Sequence, residues 1–238
     1  MTGTVDLVTL QRDLRAAADP TRVPALQRYF KTAAGEYGEG DRFLGLRVPQ
    51  VRALARKYRT INLAATRTLL HSPWHEERLL ALLLMVDRYR VGASAERAAL
   101  FRTYLASTAF INNWDLVDTS AARIVGAHLY PGGRATLDRL ARSPSVWERR
   151  IAIMATGHWI ERQEFGPTLR LATRLLHDEH DLIHKAVGWM LREVGKRDRA
   201  AEEQFLLEHG PAMPRTMLRY AIEHFPERRR QQFLRKRE

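Results

Sequence analysis

Trp114 and Asp118 stand four residues apart in the stretch Asn112-Asn113-Trp114-Asp115-Leu116-Val117-Asp118. On a helix that spacing stacks an indole and a carboxylate on one face, one turn above the other. Leu116, Val117, Ala121, Ile124, Val125 and Leu129 follow at helical spacing and anchor the segment in a core. An indole face attracts a cation and supports a planar ring, and a carboxylate beside it favours positive charge. Taken alone, the pair fits better a packing tryptophan beside a capping acid. Asp115 is a rival carboxylate, but its place near the helix start suits a cap, and it stands off the Trp114 face.

The elements that must position these groups read as helices throughout. Val5 to Ala18 is amphipathic and stops at Asp19-Pro20, and a short helix follows through Leu26, Tyr29 and Phe30. Val48-Pro49 opens another, proline being suited to a first turn. Further helices are expected at Asn62–His71, Pro73–Arg90, Ser94–Ser107, Asn113–Tyr130, Arg134–Ser143 and Ser145–Glu164. Four more are expected at Thr168–His177, His180–Lys196, Ala200–His209 and Pro214–His224. No alternating run suggests a sheet, and no linker splits the chain. The expectation is therefore one all-α domain over 1–238, with a basic tail at about 227–238 that frays beyond Leu234.

Paired helices of this length suggest a solenoid, and a repeat is visible. Arg78-Leu79-Leu80-Ala81, Arg150-Ile151-Ala152-Ile153 and Lys185-Ala186-Val187-Gly188 each set a basic residue before an apolar run. Halving the interval from 78 to 150 lands on Trp114, so Arg78, Trp114, Arg150 and Lys185 are expected to be equivalent positions. The period is close to that of HEAT-type repeats. One turn further along lie Leu82, Asp118, Met154 and Trp189. Stacked repeats would then bring Trp114, Asp118, Arg150 and Trp189 onto one face. Two indoles, a carboxylate and a guanidinium are not what a core requires.

Composition narrows the partners. The 238 residues are 45% apolar, enough for a substantial core. With 39 Lys+Arg against 27 Asp+Glu, the formal charge is +12, which favours polyanions. The absence of cysteine excludes disulfides and thiolate metal sites and fits a reducing cytosol. The N-terminal residues lack a basic region followed by an apolar run, so no signal peptide is expected. The longest apolar run, Leu79–Val86, is too short to cross a bilayer. The glycine-rich stretch Ala33–Asp41 lacks the Lys-Ser/Thr ending of a phosphate loop. His177-Asp178-Glu179-His180-Asp181 with His184 has no HExxH pattern and sits at a helix start, where acids are favoured, so no metal is expected. Trp74, Trp147 and Trp159 read as packing residues, and Arg88, Arg90, Arg97, Arg102 and Arg170 as solvated charges, with flanking DNA as the alternative for some of them.

A ligand cationic at its centre and anionic along its flank matches such a face. An N3- or N7-alkylpurine in DNA has that character. Its base leaves neutral, so a single carboxylate suffices to stabilise the oxocarbenium-like sugar and orient water. An open helical face also suggests recognition without rotating the base into a closed pocket.

The chain resembles the AlkD family of bacterial HEAT-like-repeat DNA glycosylases from about Leu26 to Phe225. The matches are Tyr29-Phe30-Lys31, Phe43-Leu44-Gly45 with Val48-Pro49, Asn113 through Asp118, Trp147 with Arg149-Arg150, and Lys185 through Trp189 with Leu191-Arg192-Glu193. The resemblance implies a right-handed solenoid with duplex DNA in a concave face, excising cationic alkylpurines without metal or cofactor. It implies Asp118 as catalytic carboxylate, Trp114 and Trp189 as its aromatic cleft, Arg150 at a phosphate and Tyr29 beside the lesion. Lys185 and Arg78, the basic positions of the repeat, are expected to join the DNA contacts. A monomeric, cytoplasmic DNA-repair enzyme is the resulting expectation, against the alternative of a non-catalytic helical-repeat module binding nucleic acid or protein. The glycine-rich insert between Lys31 and Phe43 departs from some members of the family.

Overall fold

The computed structural model describes residues 6–235. Residues 1–5, on which the signal-peptide reading falls, and 236–238 at the end of the basic tail lie outside them. Two compact units divide the chain, Met1–Ile124 and Val125–Glu238. Among the described residues the architecture is all-helical: there is no strand, only an isolated bridge between Arg42 and Trp74. None of these helices is long and apolar enough to cross a membrane.

The first unit contains α1 (Leu7–Ala16), α2 (Val23–Tyr29), α3 (Val48–Lys57), α4 (Leu63–Leu70), α5 (His75–Val91), α6 (Ser94–Ala106) and α7 (Trp114–Ala121). Helices α3, α4, α6 and α7 all pack on α5. That enclosure explains why Leu79 to Met85 is apolar on every side of the helix, since each of these residues is buried. Its first turn, His75-Glu76-Glu77-Arg78, is buried as well, and buried charges need partners. Glu76 accepts the backbone N–H groups of Leu44, Gly45 and Leu46 at 2.9, 2.8 and 3.2 Å. Glu77 pairs with Arg15 of α1 at 2.8 Å. Gly45 adopts φ +91°, and a β-carbon there would strike the Asp19 carbonyl, so no side chain fits. One charged turn thus ties the N-terminal helices and the 41–46 segment to the central helix.

The second unit contains α8 (Ala127–Leu129), α9 (Arg134–Ala141), α10 (Val146–Ala155), α11 (Gly157–Ile160), α12 (Gly166–Arg174), α13 (Asp181–Gly195), α14 (Arg199–His209), α15 (Arg215–Ala221) and α16 (Glu227–Arg235). Here α13 is central, packed by α10, α12, α14 and α15. Gly188 marks a close approach of α13 and α15: a β-carbon there would strike the Met217 carbonyl. Local signals set the helix starts, with Ser145 capping α10 and Asp198 accepting from Ala201 N at 3.0 Å at the start of α14.

Three expectations are corrected. Asn113–Tyr130 is not one α-helix: α7 passes into a π-helical turn, Ala122–Gly126, before α8. Just before it, the Ser120 hydroxyl donates to the Leu116 carbonyl at 2.6 Å, a back-bond that bends helices. Residues 227–235 of the supposed tail form α16, because Phe233 is buried edge-on against Phe225 at 5.5 Å. The repeat register also shifts by a turn. Trp114 opens α7, whereas Arg78 is the fourth residue of α5 and Arg150 and Lys185 are the fifth of α10 and α13. Counted from the helix start, Asp118 is the residue level with the basic positions.

Candidate active site

The start of α7 is held from two sides. Asn113, fully buried, caps the helix by accepting from Trp114 N at 2.9 Å. Asp115 is therefore not the cap. Its Oδ2 lies 2.8 Å from Nε2 of His75, whose Nδ1 lies 2.8 Å from Asp41 Oδ2. Burial alone would lower the His75 pKa, but the charge and hydrogen bond of Asp115, together with Asp41, outweigh it and raise it to about 9. A protonated imidazole thus bridges two carboxylates. Burial likewise opposes ionisation of Asp41, yet His75 and Arg78 together hold its pKa below the usual value.

Arg78 completes this interior network. It is 4% exposed, donates to Asp41 Oδ1 at 2.6 Å and reaches the Ser72 carbonyl at 3.0 Å. The expectation that it faces DNA is corrected, since its guanidinium neutralises a buried acid.

Above this network lies an aromatic cluster. Phe30 stacks between Phe43 at 5.2 Å and Trp114 at 5.5 Å, and both phenylalanines sit 4.8 Å from the His75 ring. Tyr29 meets Trp114 edge-on at 5.7 Å and is 62% exposed. Trp114 and Asp118 are each partly exposed, one turn apart on α7. Asp118 is near enough to the fully buried Tyr104 to add to the upward shift that burial gives that phenol. Lys31, immediately after the Tyr29-Phe30 pair, takes a left-handed φ of +56°, and its carbonyl accepts Gly38 N–H at 2.9 Å. That turn starts the glycine-containing loop that follows the two rings.

In the second unit, Arg150, Lys185 and Trp189 lie on α10 and α13. Arg150 is 4% exposed and donates to the Leu182 carbonyl in the first turn of α13 at 2.6 Å. As placed, it braces two helices rather than projecting toward solvent. Lys185 pairs with Asp181 at 2.7 Å, and Trp189, partly exposed, donates its indole N–H to Glu193 at 3.2 Å.

The His177–His184 stretch is committed to structure. Asp178 binds Arg149 at 2.6 Å, His180 caps α13, and His184 meets the Asp178 carbonyl. Among the described residues no group of three or more His, Cys, Asp or Glu could hold a metal ion. Trp147 and Trp159 are buried, as packing residues should be. Of the supposed solvated charges, Arg88 instead joins Glu96 to the Ile61 carbonyl, and Arg170 meets Asp138.

Sequence reasoning missed Asp41 and His75. The usable signal was a wholly charged turn opening the most apolar helix, where every charge must find a partner.

A family model described as DNA alkylation repair enzyme matches residues 10–225. Among solved structures, a predicted DNA alkylation repair enzyme from Enterococcus faecalis is 17% identical, with a TM-score of 0.67 over 88% of this chain and 97% of that one. That likeness bears on the fold alone. None of the curated proteins matches.

Proposed function

Since this chain belongs to the DNA alkylation repair enzyme family, we propose that it is a glycosylase hydrolysing the N-glycosidic bond of N3- and N7-alkylated purines in duplex DNA. The observation that carries this reading is a partly exposed carboxylate, Asp118, one turn from the partly exposed indole of Trp114, which an exposed Tyr29 ring extends. Aromatic faces stack on any base and attract a cationic one more strongly. Asp118 stabilises the developing positive charge on the sugar and orients the attacking water. The alkylated base departs neutral, so no general acid is required.

Trp189 is assigned as a second indole for the lesion. Lys185 is assigned to the DNA backbone, and Arg150 reaches a phosphate only by leaving the Leu182 carbonyl. The protein works on a base left largely within the duplex, without metal or cofactor and as a monomer. Wild-type protein incubated with methylated duplex DNA should release 3-methyladenine or 7-methylguanine as free base, leaving abasic sites in an intact strand. A protein that bound the duplex and released no base would belong instead to the non-catalytic reading.

A further inference from the structure

We propose that the first unit carries a separate phosphate-binding site, for a phosphodiester of the DNA backbone, in a depression between the C-terminal ends of α4 and α6. The depression has a volume of about 520 Å³ and is lined by Arg67 and His71 from α4 and its cap, and by Arg102, Thr103, Ala106 and Ser107 from α6 and its cap. Arg67 and Arg102 are both exposed, and neither pairs with a carboxylate among the described residues. Arg52 and Arg56 of α3 are likewise exposed and unpaired with a carboxylate among the described residues, but only Arg67 and Arg102 of these four line the depression. Two guanidinium forks around one depression, left without internal acids, suit the oxygens of a phosphate.

The rim is preorganised. Ser107, 1% exposed, holds His71 Nε2 at 2.9 Å, and the imidazole stacks on Phe110 at 4.2 Å and 17°. Phe110 remains 37% exposed, giving an apolar ring for a sugar or base beside the phosphate. An acidic protein segment would use the arginines but has less use for that ring, so nucleic acid is favoured. Phe110 stands four residues before Trp114, and Ile111 and Asn113 between them are fully buried. The depression is therefore joined firmly to the start of α7. The proposal relies on the DNA-repair reading for the identity of the polymer and not on any chemistry at Asp118.

The test is the salt dependence of binding to an undamaged, fluorescently labelled duplex. Each phosphate contact contributes about one unit to the slope of log K against log salt. The Arg67→Glu/Arg102→Glu protein should lose about two units of slope and roughly tenfold or more in affinity at low salt. An equal change of charge on α3, Arg52→Glu/Arg56→Glu, should leave more of both. The milder Arg67→Gln/Arg102→Gln protein gives the same ranking should the reversal disturb folding. Unchanged slope in the first variant, or equal loss in the α3 control, would overturn the proposal. So would loss of polyglutamate binding with DNA affinity retained. A wild type that binds the duplex and releases no base would defeat the glycosylase reading and leave this test intact.

Discussion

Tyr29 and Trp114, far apart in sequence, meet edge-to-face with ring centroids 5.7 Å apart at 71°. Because Tyr29 is 62% exposed, the pair offers one continuous aromatic surface beside Asp118 rather than a sealed core contact. A cation–π contact is worth about 0.5–2 kcal/mol, and about 1.4 kcal/mol is tenfold in rate. Trp114→Ala and Trp189→Ala should therefore each lower kcat/KM for a cationic alkylpurine by roughly tenfold. Tyr29→Phe should stay close to wild type and Tyr29→Ala should not. Steady-state base release from methylated duplex measures all four, and a Tyr29→Phe loss as large as Tyr29→Ala would place the role in the hydroxyl.

The His75 bridge predicts alkaline sensitivity. Its folded-state pKa of about 9 lies above the ordinary value of 6.5. The stabilisation is complete below about pH 6.5 and is lost as pH rises through about 9. Urea midpoints measured between pH 6 and 10 should fall across that window. His75→Gln removes the cation between Asp115 and the buried Asp41, which keeps Arg78, and should cost up to about 3 kcal/mol while flattening the dependence. A variant with the wild-type profile would remove His75 from the account.

Glu202 predicts a second, separable pH effect. It is 2% exposed beside Gly195, and burial raises its pKa to about 8, against the opposing charges of Arg199 and Arg192. The folded state holds this proton more tightly than the unfolded chain, so stability should fall as pH rises from about 4.5 through 8. Glu202→Gln should be more stable than wild type above pH 8. Thermal unfolding at pH 6 and 9 checks it, and a variant less stable than wild type at pH 9 would contradict it.

The close approach at Gly188 should be intolerant. In Gly188→Ala the added methyl meets the Met217 carbonyl and the Tyr220 side chain, and overpacking of this kind costs about 1–3 kcal/mol. Because the strain falls on α13 next to Trp189, base release should drop along with stability. Chemical denaturation and activity on one preparation test this together, and an unchanged denaturation midpoint would count against it.

Periodicity and caps made the helices legible, since apolar spacing and capping residues are local. The Trp114–Asp118 spacing was open to sequence reading, whereas spacing alone says nothing of the Tyr29–Trp114 contact, which joins two distant helices. Arg78 was expected at DNA because it is a basic position of the repeat, and Arg150 because the family resemblance implied a phosphate contact. Nothing local reveals that Asp41 and the Leu182 carbonyl await them. The His75 bridge escaped for the same reason, its two acids lying 34 and 40 residues away. The turn of register lost at Trp114 came from halving the interval between Arg78 and Arg150 rather than counting from helix starts, and Asn113 as cap is what fixes the start.

The most direct test compares wild type with Asp118→Asn, which keeps the shape of the side chain and removes its charge. Both are given methylated duplex DNA at saturating protein, and free 3-methyladenine and 7-methylguanine are followed over a single turnover. The expected result is release by wild type, a fall of about a hundredfold or more in the variant, and similar duplex affinity in the two. Equal rates of release would contradict the account, because the carboxylate on α7 would then have no part in breaking the bond.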